Sequence, residues 1–337
     1  MTRLLTIAAL TLAGVSGNAA AQITGAGATF PYPIYNKWFS DYAAKTKVQI
    51  NYQSIGSGGG VRQITEQTVD FGATDGPMSD EELARAKGGP IMHFPTVLGA
   101  DVIIYNVPGI TRSLRLTGPA IADIFLGKIT KWNDTRIATL NPGVRLPNDD
   151  ILVVHRSDGS GTTYVFTDYL ATISPEWASK VGRAKEVKWP VGLGAKGNEG
   201  VAGQVKQTPG SIGYTELAYA RQNNLAYAHV QNSAGNFVEP TIASITAAAV
   251  GAKLPANTDY RVSIVNAEGK DAYPISSFTW LLIYRNQTNA AKGKALKDFL
   301  RWAYAEGEKS AEALDYAPLP DAMITRLVAR LDSIKTP

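Results

Sequence analysis

Apolar and polar positions alternate along this chain with two different periods. Short apolar runs bounded by glycine, proline or polar clusters indicate strands, and apolar residues spaced three and four apart indicate helices. The two kinds of segment interleave, which favours an α/β fold. The predicted strands are residues 48–52, 69–75, 151–154 and 225–230, and the predicted helices are residues 32–42, 61–67, 117–126, 175–181, 200–207, 241–250, 290–305 and 320–334.

Two apolar stretches, residues 94–105 and 273–284, are unusually long. Both exceed the usual strand length of about five to six residues. Strands of this kind can pass from one domain into another and act as a pair of hinges. The alternative is two long core strands in a single sheet. For a chain of 337 residues, two domains are the default expectation.

Glycine and hydroxyl residues recur where a predicted strand meets a predicted helix. Residues 155–163 read HRSDGSGTT, and similar glycine-rich loops occur at residues 24–31 and 56–60. Glycine allows close backbone approach, a helix N-terminus offers unpaired N–H groups, and Arg156 adds a fork of donors that suits an oxyanion. Each loop alone is also typical of a capped helix, with Thr29 as the expected N-cap of the first one. Together they predict an anion site, because α/β sheets gather such ends in one crevice.

The first 21 residues have the pattern of a secretory signal peptide. Arg3 gives a positive start, residues 4–15 are apolar, and three alanines at residues 19–21 supply a cleavage site. Gln22 is then the expected mature N-terminus. The apolar run is shorter than the roughly 20 residues that a transmembrane helix needs, and no later segment reaches that length. We expect an exported, soluble protein.

Composition narrows the chemistry further. The chain has 33 Lys and Arg against 29 Asp and Glu, a net charge of +4, and no basic tract, so nucleic-acid binding is not favoured. It has no cysteine, which excludes disulfides, thiolate catalysis and lipid attachment through cysteine. His93, His155 and His229 are too scattered for a helix-spaced metal pair. We therefore expect neither a metal nor another cofactor.

Several ordered motifs carry a family resemblance. They are TGAGATFP at 24–31, GSGGG at 56–60, VDFGATD at 69–75, GKITKWND at 127–134, RSDGSGT at 156–162, KWPVG at 188–192 and LDYAPLP at 314–320. Together they resemble the periplasmic phosphate-binding proteins of high-affinity phosphate ABC transporters. The resemblance covers essentially the whole mature chain.

The resemblance implies a type II periplasmic binding-protein fold, in which two α/β domains joined by two hinge strands enclose the ligand in a cleft. Domain I would comprise residues 22–96 plus 276–337, and domain II residues 97–275. The implied function is non-enzymatic binding of inorganic phosphate in the periplasm, by hinge closure, and delivery to the membrane permease of an ABC transporter. The implied oligomeric state is a monomer.

The resemblance also implies a ligand set. Thr29, Phe30, Ser57 and Asp75 would bind phosphate from one domain, Phe30 through its backbone N–H, and Asp158 would hold the Arg156 guanidinium in place. The ligands from the other domain would be Arg156, Ser160, Gly161 and Thr162. Two positions depart from the family pattern, Gly58 where relatives often have Ser and His155 where some have Arg. Neither removes an implied ligand.

Asp75 acquires a purpose if the ligand is phosphate, although an acidic residue after a strand is often only a turn or cap residue. Phosphate keeps a proton at neutral pH that a carboxylate can accept, whereas sulfate has none. A site built to accept that hydrogen bond rejects an analogue without it by roughly 10⁴ to 10⁵. Asp75 therefore argues against the second hypothesis, a receptor for another tetrahedral oxyanion.

A third hypothesis is a secreted phosphatase or other hydrolase with Ser57 or Ser160 as nucleophile. Neither serine lies in a Gly-x-Ser-x-Gly elbow, and no two-metal set of carboxylates and histidines is evident. His155 is near Ser160 in sequence, but sequence alone does not give their geometry. The pattern favours a binding protein over an enzyme.

Overall fold

A computed structural model of the protein describes residues 22–250 and 259–337, so the predicted signal peptide lies outside the described residues. The strands are β1 (Ile23–Gly27), β2 (Ile50–Ser54), β3 (Phe71–Thr74), β4 (Ile91–Asn106), β5 (Arg115–Leu116), β6 (Leu152–Arg156), β7 (Leu193–Ala195), β8 (Ser211–Glu216), β9 (Ala226–Tyr227), β10 (His229–Gln231), β11 (Phe237–Val238) and β12 (Ser276–Tyr284). The helices are α1 (Tyr32–Thr46), α2 (Ser57–Thr65), α3 (Asp80–Ala84), α4 (Gly118–Phe125), α5 (Thr135–Ala138), α6 (Gly161–Ile173), α7 (Pro175–Lys180), α8 (Gly197–Gln207), α9 (Leu217–Gln222), α10 (Ile242–Val250), α11 (Ala290–Ala305) and α12 (Asp321–Arg330). Within these ranges, no helix combines the length and the apolar character that crossing a bilayer requires.

The main sheet is mixed, which confirms the predicted α/β class. Its strand order is β2-β1-β3-β12-β4-β8-β6-β7, with β9 paired to β4, and β5, β10 and β11 form a small separate sheet. β1 is parallel to β2 and β3, and β6 is parallel to β7 and β8, whereas β4 is antiparallel to β12 and β8. The predicted anion-binding residues lie at the ends of β1, β2, β3 and β6, in the loops that follow them or in the first turns of α2 and α6.

The long strand β4 changes partner along its length. Residues 91–100 pair with β12, and residues 101–106 pair with β8. All of its residues except the last are buried, as expected for a strand that is covered on both faces. β4 thus joins the part of the sheet that contains β1 and β3 to the part that contains β6.

The aromatic stripe of α1 is in the core, as its helical spacing predicts. Tyr35, Trp38, Phe39 and Tyr42 are all buried, and Phe39 and Tyr42 pack against Phe299 of α11 at ring-centroid distances of 5.4 and 5.3 Å. The C-terminal helix α11 therefore covers the same side of the sheet as α1. Residues from the two ends of the described chain share one hydrophobic core.

Three local predictions differ from the structure. Segment 225–230 is two short strands, because β9 joins the main sheet and β10 joins the small one. The N-cap of α1 is Pro31 without a side-chain bond, so Thr29 is not the cap. α2 begins at Ser57 instead of residue 61, so its first turn includes Gly58 and Gly60, where a Cβ would crowd the backbone of other segments. A Cβ on Gly60 would lie 2.5 Å from the Cα of Gly27.

Candidate functional site

Arg156 is the last residue of β6, and its side chain is buried. It donates to Asp158 through Nε at 2.7 Å and through Nη2 at 2.5 Å, while the backbone N–H of Gly197 also donates to Asp158 at 3.0 Å. Burial alone would lower the pKa of Arg156, but the bonds and charge of Asp158 outweigh it and raise that pKa. The bidentate pair fixes the guanidinium plane and keeps it charged. Nη1 remains directed at Thr162, whose Oγ1 lies 3.2 Å away.

The N-terminus of α6 follows directly. Ser160 is its N-cap, and its Oγ accepts a hydrogen bond from the backbone N–H of Thr163 at 2.9 Å. The proton of the Ser160 hydroxyl therefore stays available to an acceptor. The N–H groups of Gly161 and Thr162 belong to the first helical turn and have no intrahelical partner, so they are suited to bind an anion.

Asp75 lies on the opposite side, directly after β3, and is 1% exposed. The hydroxyl of Thr279 on β12 donates to its Oδ1 at 2.7 Å, and the Ser57 hydroxyl lies 3.4 Å from its Oδ2. Burial raises the pKa of Asp75 to about 7, although the Thr279 bond, the charge of Arg156 and the Ser57 bond each lower it. Near neutral pH this carboxyl can therefore accept a proton or donate one.

The side that contains Arg156 and the side that contains Asp75 are in direct contact at Gly161. A Cβ on Gly161 would lie 2.6 Å from the backbone nitrogen of Asp75, and closer still to the oxygens of Asp75 and Ser57. The backbone N–H of Gly58 also donates to the carbonyl of Gly159 at 2.7 Å. The structure is therefore closed around this site. All eight predicted ligands are buried: Thr29, Phe30, Ser57, Asp75, Arg156, Ser160, Gly161 and Thr162.

Thr29 and Phe30 connect β1 to α1, and both of their carbonyls are occupied. Tyr219 donates to the carbonyl of Thr29 at 2.6 Å, and Tyr316 donates to that of Phe30 at 2.6 Å. In a trans peptide the N–H and C=O groups point in opposite directions. The N–H of Phe30, which shares its peptide with the Thr29 carbonyl, consequently points away from Tyr219.

Sequence reasoning missed two polar residues here. Asn198, near the start of α8, donates through Nδ2 to Thr29 Oγ1 at 2.8 Å and to Thr162 Oγ1 at 3.0 Å. Its Gly-Asn-Glu-Gly context before a predicted helix repeats the glycine-at-helix-start signal that marks the other loops. Thr279 lies in the middle of an apolar strand and carried no comparable signal.

Two further carboxyls, Asp101 and Glu216, are fully buried next to this site. They face each other across the β4 and β8 pairing, and the two Asp101 oxygens have no hydrogen-bond partner within the described residues. Burial raises the pKa of both well above the usual carboxyl range. Both carboxyls therefore favour the neutral form, so they would not repel an anion bound in the neighbouring site.

Neither candidate nucleophile is paired with a histidine in the described ranges. Ser160 bonds Thr163, and Ser57 contacts Asp75. The His155 ring stacks on Trp189 with centroids 4.7 Å apart, and its Nδ1 lies 3.0 Å from the Arg156 carbonyl. The described part of the chain also contains no group of three or more His, Cys, Asp or Glu side chains placed to hold a metal ion.

A cavity of about 190 Å³ lies beside Asp75, and Tyr164, Arg183 and Arg261 also line it. The same three side chains border a wider surface groove of about 750 Å³. In that groove Lys185 bonds Glu82 at 2.9 Å, which ties the segment before β4 to the segment after α7. The cavity beside Asp75 therefore adjoins the surface groove at these side chains.

The chain is similar to known proteins over most of its length. A family model described as the PBP superfamily domain matches residues 14–306. A phosphate-binding protein PstS of Pasteurella multocida is 49% identical over 92% of this chain and 90% of its own length. A phosphate-binding protein PstS of Haemophilus influenzae is 47% identical over 94% of this chain and 95% of its own length.

A solved structure extends the likeness to the fold. The phosphate-binding protein of Stenotrophomonas maltophilia superposes with a TM-score of 0.70 at 21% identity, covering 92% of this chain and 94% of that one. At that identity the match concerns the architecture alone. The match to the family model and the identities of nearly one half establish that the chain belongs to the PBP superfamily and, within it, to the PstS phosphate-binding proteins.

Proposed function

We propose that this protein binds inorganic phosphate outside the cytoplasm and delivers it to the permease of an ABC transporter, without acting as an enzyme. One observation carries the proposal. A charged, buried guanidinium and the N-terminus of α6 meet a buried carboxyl with a pKa of about 7 across a closed interface. The relatives of nearly half identity are named phosphate-binding proteins, which supports the same ligand.

In the proposed complex, Arg156, Ser160, Gly161 and Thr162 bind phosphate from one side, and Asp158 fixes Arg156. Thr29, Phe30, Ser57 and Asp75 bind it from the other. These groups are donors apart from Asp75, which accepts the proton of the phosphate hydroxyl. The ligand therefore satisfies the site only if it offers several acceptor oxygens and one donor.

The proposed domains are residues 22–96 plus 276–337 and residues 97–275, joined through β4 and the segment that enters β12. The change of partner along β4 supports this division. Phosphate would enter while the domains are apart and be enclosed when they close. Small-angle scattering should show a smaller radius of gyration with phosphate than without it, and identical profiles would contradict closure.

The proposed location is the periplasm, reached by cleavage of the signal peptide before Gln22. Its basis is the sequence pattern of residues 1–21. The proposed form in solution is a monomer, as the resemblance to the family implies.

Titration calorimetry of the mature protein tests the ligand. Phosphate should bind tightly, arsenate should compete because it keeps its proton at neutral pH, and sulfate should fail. Sulfate binding as strong as that of phosphate would refute the proposal. A p-nitrophenyl phosphate assay with and without added divalent metal should show no turnover, and metal-dependent hydrolysis would favour the phosphatase instead.

A further inference from the structure

Asn198 lies between the two sides of the proposed phosphate site and is fully buried. Its side-chain nitrogen reaches two hydroxyls at once, Thr29 Oγ1 at 2.8 Å and Thr162 Oγ1 at 3.0 Å. The proposed function assigns these threonines to opposite sides of the ligand. One amide group with two N–H bonds thus bridges them.

The hydrogen bonds on the other side of the Asn198 amide show which of its two terminal atoms is the nitrogen. The backbone N–H of Glu216 donates to Asn198 Oδ1 at 3.0 Å, and the Thr215 hydroxyl donates to the same oxygen at 3.0 Å. A backbone N–H can only donate, so the atom that it contacts must be the amide oxygen. The NH₂ group therefore faces Thr29 and Thr162.

The hydrogen bonds that Thr29 accepts determine where its own proton points. Its Oγ1 receives the side-chain N–H of Asn198 at 2.8 Å and the backbone N–H of Asn198 at 3.2 Å. A hydroxyl has two acceptor sites and one proton. With both acceptor sites occupied, the Thr29 hydroxyl can take part in a further bond only as a donor.

Thr162 is constrained in a similar way. Its Oγ1 receives Asn198 Nδ2 at 3.0 Å and Arg156 Nη1 at 3.2 Å. Its hydroxyl donates to Asn198 Oδ1 over a long 3.3 Å between the two oxygens, but that Oδ1 already accepts two shorter hydrogen bonds. An anionic phosphate oxygen is a stronger acceptor and would draw this proton to itself.

We propose that Asn198 is a positioning residue that presets the hydroxyls of Thr29 and Thr162 as donors to the bound anion. The inference rests on the proposed function, because it needs an oxyanion between these threonines. Asn198 does not bind the ligand through its side chain. It acts by occupying lone pairs of both hydroxyl oxygens, so that neither hydroxyl turns a lone pair towards the anion.

A double-mutant cycle measured by phosphate calorimetry tests this role. Asn198→Ala should weaken phosphate binding roughly 10- to 100-fold, as expected when hydrogen bonds to a charged group lose their orientation. In the Thr29→Val background, and separately in the Thr162→Val background, the same substitution should cost at least threefold less. An equal cost in all backgrounds, or no cost in the wild type, would overturn the proposal.

Two further variants keep the result interpretable. Asn198→Asp preserves the shape and the oxygen that accepts from Glu216 but replaces the NH₂ group by an acceptor, so it should bind phosphate more weakly than Asn198→Ala. Equal or tighter binding would count against the proposal, also where the alanine variant fails to fold. Asn141→Ala removes another buried amide, bonded to the carbonyls of Arg115 and Ile137, and should leave phosphate affinity unchanged.

The wild-type titration separates this inference from the function on which it rests. If the wild-type protein does not bind phosphate, the proposed function fails. If the wild type binds phosphate and the cycle is additive, only the role of Asn198 fails.

Discussion

The two sides of the site hold charge in different ways. Arg156 is charged at every physiological pH and is locked by Asp158, so its side attracts any oxyanion. Asp75 has a pKa of about 7 and is held by Thr279, so its charge depends on pH and on its partner. In the proposed complex, attraction and discrimination therefore reside in different domains. Neither side alone would give both.

The substitution Asp75→Asn tests whether the Asp75 side provides the discrimination between anions. An asparagine can donate to a sulfate oxygen at any pH, whereas Asp75 with a pKa of about 7 is protonated in only about one in a hundred molecules at pH 9. The ratio of phosphate to sulfate affinity at pH 9 should therefore fall about 100-fold. Competition calorimetry with both anions measures the ratio. Asp70→Asn, which changes an acidic residue paired with Lys292 away from the site, is the matched control and should leave the ratio unchanged. An unaltered ratio in Asp75→Asn would end the assigned role of that residue.

Removing the attractive side should weaken all anions together. Arg156→Met leaves Asp158 without its partner and deletes the buried cation, so phosphate binding should lose about 2–5 kcal/mol. Calorimetry against phosphate gives the affinity, and thermal unfolding shows whether the variant folds. Arg136→Met, at an exposed ion pair with Asp123 and Asp134, should bind normally. If Arg156→Met changed the ratio of phosphate to sulfate affinity without weakening the binding of both anions, the attractive role proposed for Arg156 would be wrong.

Contact between the two sides can be perturbed at Gly161. The added methyl of Gly161→Ala would overlap Asp75 and Ser57, so closure should cost about 1–3 kcal/mol and phosphate affinity should fall accordingly. Gly203→Ala adds the same methyl where, apart from its own helix, no described atom lies within 4 Å, and it should have no such effect. Scattering with saturating phosphate would show whether Gly161→Ala still closes. If Gly161→Ala bound phosphate with wild-type affinity, Gly161 would not contact Asp75 and Ser57 in the phosphate-bound protein.

A smaller effect should appear on changing pH. The folded pKa of Asp75 is about 7, above the usual value of 3.8, so the protonated form predominates in the phosphate-free protein below pH 7. A protonated Asp75 can donate to sulfate, and its protonated fraction rises about tenfold between pH 8 and pH 6, so sulfate rejection should weaken about tenfold over that range. Asp75→Asn should lose this pH dependence. A ratio that is constant with pH in the wild type would show that Asp75 does not titrate in this range.

The same shift has a consequence for stability. Because the folded pKa of Asp75 is raised, its contribution to stability is fully present below about pH 4 and is lost as the pH rises through about 7. Binding of phosphate through an ionised Asp75 would offset that loss. The side proposed to discriminate between anions is therefore also the side whose ionisation lowers the stability of the empty protein near neutral pH.

Much of this protein could be predicted from its sequence because local rules apply to it directly. The apolar periodicity of α1 and α11, the long run that becomes β4, and the glycine loops at strand-to-helix junctions all follow from short-range chemistry. The motifs around Arg156 and Asp75 indicated both sides of the site. Whether those residues touch phosphate stays a proposal, supported by their burial in one closed constellation.

Other features depend on partners that are distant in the chain. The proton of Thr29 is directed by Asn198, 169 residues away, and Asp75 is held by Thr279, 204 residues away. Segment 225–230 divides because β9 pairs with the main sheet and β10 pairs with the small sheet. Gly60, in the early start of α2, packs against the backbone of Gly27. The sequence by itself determined the α/β class, the core faces and the ligand loops, since these depend on neighbours within a few residues. Only the tertiary structure decided which hydroxyl donates to which group and how far the Asp75 pKa rises, because both depend on burial and on atoms from other strands.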